Sequence, residues 1–270
     1  MIRYEDAIPQ ALGGMTVEQA VSALFPELSP RQVREAFRAR DVKLNGKRVP
    51  PETAAQPDDK IAVFSGSPER PAEILFEDKE FLILVKRQGM PTQGAGSAET
   101  LCARHCGAPV FACHRLDAQT GGLLLVAKTE PAREAAVAAF AAHQVQKTYR
   151  CLVRGAPQPE EKTLRAWLVK DAQAAHVRIL DAPQKGALPI ETRYRVLSHE
   201  GDVSRLEVEI PTGRTHQIRA QLAHIGHPIL GDDKYGDRAL NRKHGVRAQQ
   251  LWAVRLTLWD GRTFETKEPF

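Results

Sequence analysis

Between residues 74 and 259 the chain strings together nine short apolar or alternating runs: ILF, FLILV, VFACHRL, LLLVAK, TYRCLV, TRYRVL, SRLEVEI, QQLWAV and LTLW. Each has strand length and is rich in branched, leucine or aromatic residues. Two stretches between them have helical character. EPAREAAVAAFAAHQ (130–144) is alanine-rich behind Thr129 as an N-cap. THQIRAQLAHIGHP (215–228) places Ile218, Leu222 and Ile225 at i, i+4 and i+7 and stops at Gly226, with Pro228 beyond. So many strands with so few helices disfavour a doubly wound parallel sheet. The pattern predicts an α+β fold whose sheet is mixed and largely antiparallel.

The first 65 residues read differently. TVEQAVSALFP (16–26) has helical spacing with Thr16 as its cap, and LSPRQVREAFRARD (28–41) predicts a second helix with Ser29 as cap and Pro30 at its first position. VKLNGKRV (42–49) alternates around Asn-Gly and predicts a hairpin, and DDKIAVF (58–64) a closing strand. This predicts a small α/β domain over 1–65, a Ser/Pro/Gly linker over 66–72 and a larger domain over 73–270. Residues 29–50 carry seven cations (Arg31, Arg34, Arg38, Arg40, Lys43, Lys47, Arg48) against two carboxylates. A basic face of this kind suits phosphate contact, and a merely solvated helix face is the alternative.

The 270 residues carry a formal net charge of +5, which permits a polyanionic partner without demanding one. The opening MIRYEDAIPQ has charges and no apolar core of a leader, and no run of the sequence is apolar enough to span a bilayer. The expectation is a cytoplasmic protein with four reduced cysteines and no membrane partner. The spacing of Cys102, His105, Cys106, Cys113 and His114 fits no zinc pattern, and GAGS (94–97) fits no nucleotide loop. No metal and no cofactor are expected.

Three strings could carry chemistry. In HRLDAQTGGLLLVAKT (114–129) an extended backbone would turn Arg115 and Asp117 to one face and His114 to the other. A cation beside a carboxylate favours its charged form, and such a carboxylate serves as nucleophile or base. A structural Arg-Asp pair at a turn is the plain alternative. In GRTHQIR (213–219) Arg214 flanks a helix N-terminus, which favours anions, and Arg219 follows core-facing Ile218, so it reaches either a cleft or the surface. In QKTYRCLV (146–153) Tyr149 opens a strand, where it either stacks on a planar ligand or simply half-buries.

Taken together and in this order, HRLDAQTGGLLLVAKT, QKTYRCLVRG and PTGRTHQIRAQLAHIGHPILGDDKYG resemble the RluA family of RNA pseudouridine synthases, and ILFEDKEFLILVKRQGMPTQ resembles that family's first motif. The resemblance covers 73 to about 260. It implies the pseudouridine synthase fold and isomerisation of uridine, with Asp117 as catalytic aspartate, Tyr149 as the stacking tyrosine and Arg219 as the partner of the aspartate. It implies that Arg115 enters the space left by a flipped nucleotide and that Leu251 lies near the base. The first 65 residues resemble the small S-four RNA-binding module, which implies RNA contact by Arg34, Arg38, Lys43, Lys47 and Arg48, with Arg214 as a further contact. The implied substrate is large-subunit ribosomal RNA, with tRNA as the alternative; a non-catalytic RNA-binding protein of ribosome assembly is the competing function. A monomer is expected. The chain departs from the family pattern at Trp252, where LHA is common and LWA stands, at Gly121, where Ser is frequent, and at Arg87, where Pro is common.

Overall fold

Thr16 sets the start of the first helix. Its hydroxyl accepts from the Gln19 amide while the Gln19 side chain accepts from the Thr16 amide, a reciprocal cap that satisfies two orphan donors. The computed structural model describes residues 2–26, 28, 30–65, 73–94, 96–171 and 176–270. The expected cap Ser29, the expected linker 66–72 and Ala95 of the GAGS stretch lie outside them. The chain divides into two units, one taking in residues up to 72 together with 93–107, the other 73–92 with 108–270.

In the first unit, strand β1 (Ile2–Ala7) precedes helices α1 (Val17–Leu24) and α2 (Pro30–Arg38), then strands β2 (Val42–Leu44), β3 (Lys47–Arg48) and β4 (Lys60–Ser65), and helix α3 (Ala98–Cys106). The sheet order is β1-β4-β2-β3. Asn45 and Gly46 turn the β2-β3 hairpin with φ of 48° and 79°, the left-handed values such a two-residue turn requires. Alternation decides the layers: Tyr4, Val42, Ile61 and Val63 pack with Val17, Val21, Phe25 and Val33, so α1 and α2 cover one face of the sheet. Strand β1 was not expected, because IRYEDA buries Tyr4 and little else and its place is set by pairing along β4. Helix α3 was not expected either; Ser97 caps it and Gly107, at φ 64°, ends it.

The second unit runs β5 (Glu73–Glu77), β6 (Phe81–Lys86), β7 (Phe111–Ala112), β8 (Gly121–Ala127), α4 (Glu130–Ala141), β9 (Gln146–Arg154), β10 (Glu161–Asp171), β11 (His176–Leu180), β12 (Leu188–Glu200), β13 (Val203–Glu209), α5 (Gln217–His224), α6 (Arg238–Lys243), β14 (Leu251–Thr257) and β15 (Thr263–Glu265). Among the described residues its sheet has eleven strands, in the order β11-β10-β12-β13-β9-β14-β8-β6-β5, with β15 on β14 and β7 on β8. Every pairing is antiparallel except β14 with β8. The α+β class with a mixed, largely antiparallel sheet is therefore what the chain adopts.

β6 and β8 are buried along their whole length, which is why both read as unbroken apolar runs. One face packs Ile83, Leu125 and Val254 against Ala132, Ala136 and Ala139 of α4. A separate cluster joins Tyr149, Val208, Ile218, Leu222 and Leu251. The two runs QQLWAV and LTLW form one strand, β14, which the topology inserts between β9 and β8. VFACHRL is a strand only over Phe111–Ala112, and the chain then leaves the ladder before Asp117.

Candidate active site

Asp117 sits in the loop that enters β8, and the loop is tied down on every side. Thr92 Oγ1 donates to the Leu116 carbonyl at 2.8 Å and accepts from the Leu116 amide at 3.1 Å. Gln249 Nε2 donates to Thr120 Oγ1 at 2.9 Å, and the Thr120 amide closes the turn onto the Asp117 carbonyl at 3.0 Å. Lys86, at the end of β6 and fully buried, donates to the carbonyls of Met90, Arg87 and Ala118 at 2.8, 3.1 and 3.3 Å. Burial pulls the Lys86 ammonium down to about 7, against the pull of the Asp117 charge. Three carbonyl acceptors need all three N–H donors, so the bonding pattern is that of the protonated form.

A cavity of about 460 Å³ opens in front of this loop. Asp117, Tyr149, Arg219, Arg115, Arg214 and Leu251 all line it, drawn from the loop, β9, α5, the turn before α5 and β14. Arg34, Arg38, Lys43, Lys47 and Arg48 belong to the first unit and are not among its lining residues. Arg115 and Arg214 are exposed, while Tyr149 and Leu251 are buried in the wall.

Arg219 is the electrostatic centre. Its side chain is 4% exposed, and Nη1 donates to Asp117 Oδ2 at 3.2 Å. Nε and Nη2 grip Asp232 at 2.7 and 3.0 Å, and Nη2 also reaches Asp233 Oδ1 at 2.9 Å. The guanidinium carbon lies 5.5 Å from the centre of the Tyr235 ring. Burial opposes the charge of Arg219, but the hydrogen bond and charge of Asp232, with Asp117 behind them, outweigh it and hold the guanidinium protonated. Burial likewise raises Asp232, and the Arg219 bond and charge, with the amides of Tyr235 and Lys234, bring it below the ordinary carboxylate value. Its place after core-facing Ile218 allows either a cleft or the surface; Arg219 is a buried fork with one tine toward the cavity.

His216 stands beside the pair. It takes a left-handed φ of 52° just before α5 and brings Nε2 to 3.9 Å from Asp117 Oδ2. The Tyr235 hydroxyl accepts from the Val177 amide at 2.9 Å and lies 3.0 Å from His216 Nδ1. The hydroxyl either donates to Nδ1 or accepts from it; in the neutral tautomer where it donates, the Nε2–H faces Asp117. Burial lowers His216, against the pull of Asp117 and with that of Arg219. His114 turns its Nε2 to accept from the Leu125 amide at 3.1 Å. Burial and then the Lys147 charge hold it down to about 3, so it contributes no cation to the wall. Burial, then the Asp117 charge, pushes the Tyr149 phenol up, so its hydroxyl keeps its proton. The arrangement offers a carboxylate on a fixed cation, an aromatic face, an apolar side and cations at the rim. That set is chemically suited to a planar uncharged ring attached to an anionic backbone.

A family model described as RNA pseudouridylate synthase matches residues 80–224, more than half of the chain and inclusive of Asp117, Tyr149 and Arg219. The chain belongs to this family. An RNA pseudouridylate synthase is an isomerase, which detaches uracil from its ribose and rejoins it through carbon 5. The ribosomal large subunit pseudouridine synthase C of Escherichia coli (strain K12) is 31% identical over 262 residues, covering 88% of this chain and 81% of that protein. The synthase C of Vibrio cholerae is 32% identical over 276 residues, covering 92% and 86%. Among solved structures, human RNA pseudouridylate synthase domain containing 1 superposes with a TM-score of 0.64 at 26% identity, covering 77% of this chain and 86% of that one.

Several residues in the wall of this synthase's cavity or behind it, around Arg219, carried no sequence assignment. Asp232, Asp233 and Tyr235 lie in GDDKYG, a string whose members meet Arg219 only through the tertiary fold. Lys147 stands two residues before Tyr149, so both line the cavity from one strand face, a period-two signal available in QKTYR.

Two departures from the family pattern explain each other. Gly121 on β8 pairs with Trp252 on β14, and a Cβ at Gly121 would overlap the six-membered ring of Trp252. The indole thus occupies the volume a serine side chain would take. Gly121→Ser is expected to destabilise the synthase by about 1–3 kcal/mol, the usual cost of overpacking a filled core. Combining it with Trp252→His should recover most of that loss, since the smaller ring vacates the site. Thermal melts of the two single variants and the double variant check this, and additive losses would refute it.

Proposed function

We propose that the chain isomerises uridine to pseudouridine in large-subunit ribosomal RNA, in the cytoplasm, as a monomer. The observation that carries the chemistry is the Asp117–Arg219 pair, 3.2 Å apart, beside Tyr149 and Leu251 in one cavity. What favours ribosomal RNA is that relatives named ribosomal large subunit pseudouridine synthase C match most of the chain. We read residues 1–65 as an S-four-like RNA-binding module joined through residues 66–72 to a catalytic domain over 73–270.

In this reading the target uridine leaves its stack, at a cost of about a few kcal/mol that is least in a loop. Arg115 fills the space it vacates, and the base enters between Tyr149 and Leu251. The bond from C1′ to N1 breaks and the bond from C1′ to C5 forms; the C5 proton departs and N1 gains one, so no electrons or atoms are exchanged with a partner. Asp117 either adds to the base or assists a route through a glycal. Arg219 orients the carboxylate, and Tyr149 holds the detached ring so that it turns without escaping. The protonated phenol also offers a hydrogen bond.

Lys147 gives this cleft a pH signature. It lines the cavity, and burial pulls its ammonium down to about 8. Below that value it is a cation facing phosphate, and above it the charge is lost. RNA affinity is therefore expected to fall as pH rises through about 8, and Lys147→Arg should remove the fall, because arginine stays charged. Titrating affinity for a target-loop fragment across this range checks the assignment, and an unchanged profile in Lys147→Arg would refute it. A pseudouridine map of ribosomal and transfer RNA tests the substrate. It compares wild-type cells, a deletion, and the deletion complemented with Asp117→Asn. Ribosomal sites missing from both mutants are expected. Sites missing from tRNA instead would overturn the substrate, and a complete map in all three strains would favour a binding role without chemistry.

A further inference from the structure

The first unit has two surfaces, and α1 and α2 cover one of them. On the other, alternation along the strands turns out Arg3 and Glu5 from β1, Lys60, Ala62 and Phe64 from β4, Lys43 from β2 and Arg48 from β3. The small Ala62 leaves a hollow of about 430 Å³ whose walls include Arg3, Lys43, Lys60 and Phe64. Phe64 is half-buried, with the Arg3 guanidinium 5.9 Å and the Lys43 ammonium 5.3 Å from the centre of its ring. The cations inferred from the sequence thus divide between layers: Arg34 and Arg38 ride on α2, whereas Lys43 and Arg48 stand opposite one another on the sheet.

We propose that this outer sheet face is a docking surface for a single-stranded segment of the RNA substrate, with Phe64 as its stacking floor and Arg3, Lys43, Arg48 and Lys60 as phosphate contacts. The inference rests on reading the first unit as an RNA-binding one and gives that unit a second face. Charge complementarity selects the occupant. Among the described residues four cations face one carboxylate, Glu5, which pairs with Arg3 at 2.7 Å with both side chains exposed. An exposed pair of that kind is held weakly, so Arg3 is available to a phosphate. A single aromatic ring ringed by cations offers little apolar area to a folded protein, and it suits a chain that alternates planar bases with anions. A base on Phe64 displaces the Lys43 ammonium from the ring toward the backbone phosphate of the same nucleotide.

The test measures binding of the full-length chain to a short single-stranded oligouridylate as a function of salt. Phe64→Leu, which keeps most of the volume, should weaken binding about tenfold and leave the salt slope unchanged, as loss of one stacked base does. Lys43→Gln should weaken binding and reduce the slope by about one phosphate. Matching thermal melts would show that both variants fold. Wild-type affinity in both, with weakened binding in Arg34→Gln and Arg38→Gln, would overturn the sheet-face site and leave the RNA-binding reading of the unit intact. Wild-type affinity in all four would overturn both.

Discussion

Asp117→Asn protein is expected to bind its RNA with near wild-type affinity while pseudouridine formation falls by about 10⁴-fold or more, the upper range for a positioned acid, base or nucleophile. The substitution is nearly isosteric. The carbonyl oxygen of the introduced amide still accepts from Arg219 Nη1, and Arg219 keeps its bonds to Asp232 and Asp233. The loop itself is tied through Thr92, Lys86 and Gln249, none of which touches the Asp117 carboxylate. The melting temperature should therefore barely move, and the cations proposed to meet phosphate are untouched. What is lost is the charge and nucleophilicity of one oxygen. Single-turnover isomerisation of a target-loop fragment, set beside its binding isotherm, separates these effects. Turnover near wild type would remove Asp117 from the chemistry; a parallel loss of binding would recast it as an RNA contact.

The strings that carry Asp117, Tyr149 and Arg219 are local, and the sequence exposes them for that reason. So are the signals for β6, β8, α1 and the Asn45-Gly46 hairpin, where burial on both faces, a reciprocal cap or a turn that demands left-handed residues leaves a mark within a few positions. The misses are non-local. β10 and β11 hold exposed and half-buried residues between buried ones and are defined by pairing with each other and with β12, so no continuous apolar run announces them. α6 is short and starts at Asp237, whose carboxylate caps it after a turn crowded with polar residues. That β14 lies between β9 and β8 is a fact of sheet order, which no window of sequence contains. The same holds for the site. Asp232 is 13 residues from Arg219 and Asp117 is 102 away, and only the folded sheet joins the three. The departures at Gly121 and Trp252 likewise look independent in sequence and are one packing decision in space.

Arg219→Ala should cost about 3–5 kcal/mol, because it strands a buried carboxylate rather than merely removing a contact. The Asp232 side chain is 0% exposed. Without the guanidinium it retains the Lys234 and Tyr235 amides at 2.9 Å and no charge partner at Arg219. For a domain of this size the loss corresponds to a melting temperature lower by roughly 6–20 °C. The pH dependence has a definite sign. Arg219 holds Asp232 below its ordinary value of 3.8, so that stability is present above 3.8 and is lost as pH falls through the lowered folded value. The gap between wild type and Arg219→Ala should therefore narrow in acid. Arg219→Lys keeps a charge but offers one ammonium where a fork serves three carboxylates, so it should recover part of the stability and little of the turnover. Pairing Arg219→Met with Asp232→Asn removes both buried charges and should recover stability further, since a buried ion pair is costly to break and cheap to replace. Its turnover should stay at the level of Arg219→Ala, because nothing then orients Asp117. Melts across pH, with single-turnover rates, decide the matter: a double variant that regains turnover would show that Arg219 serves the fold and not the reaction.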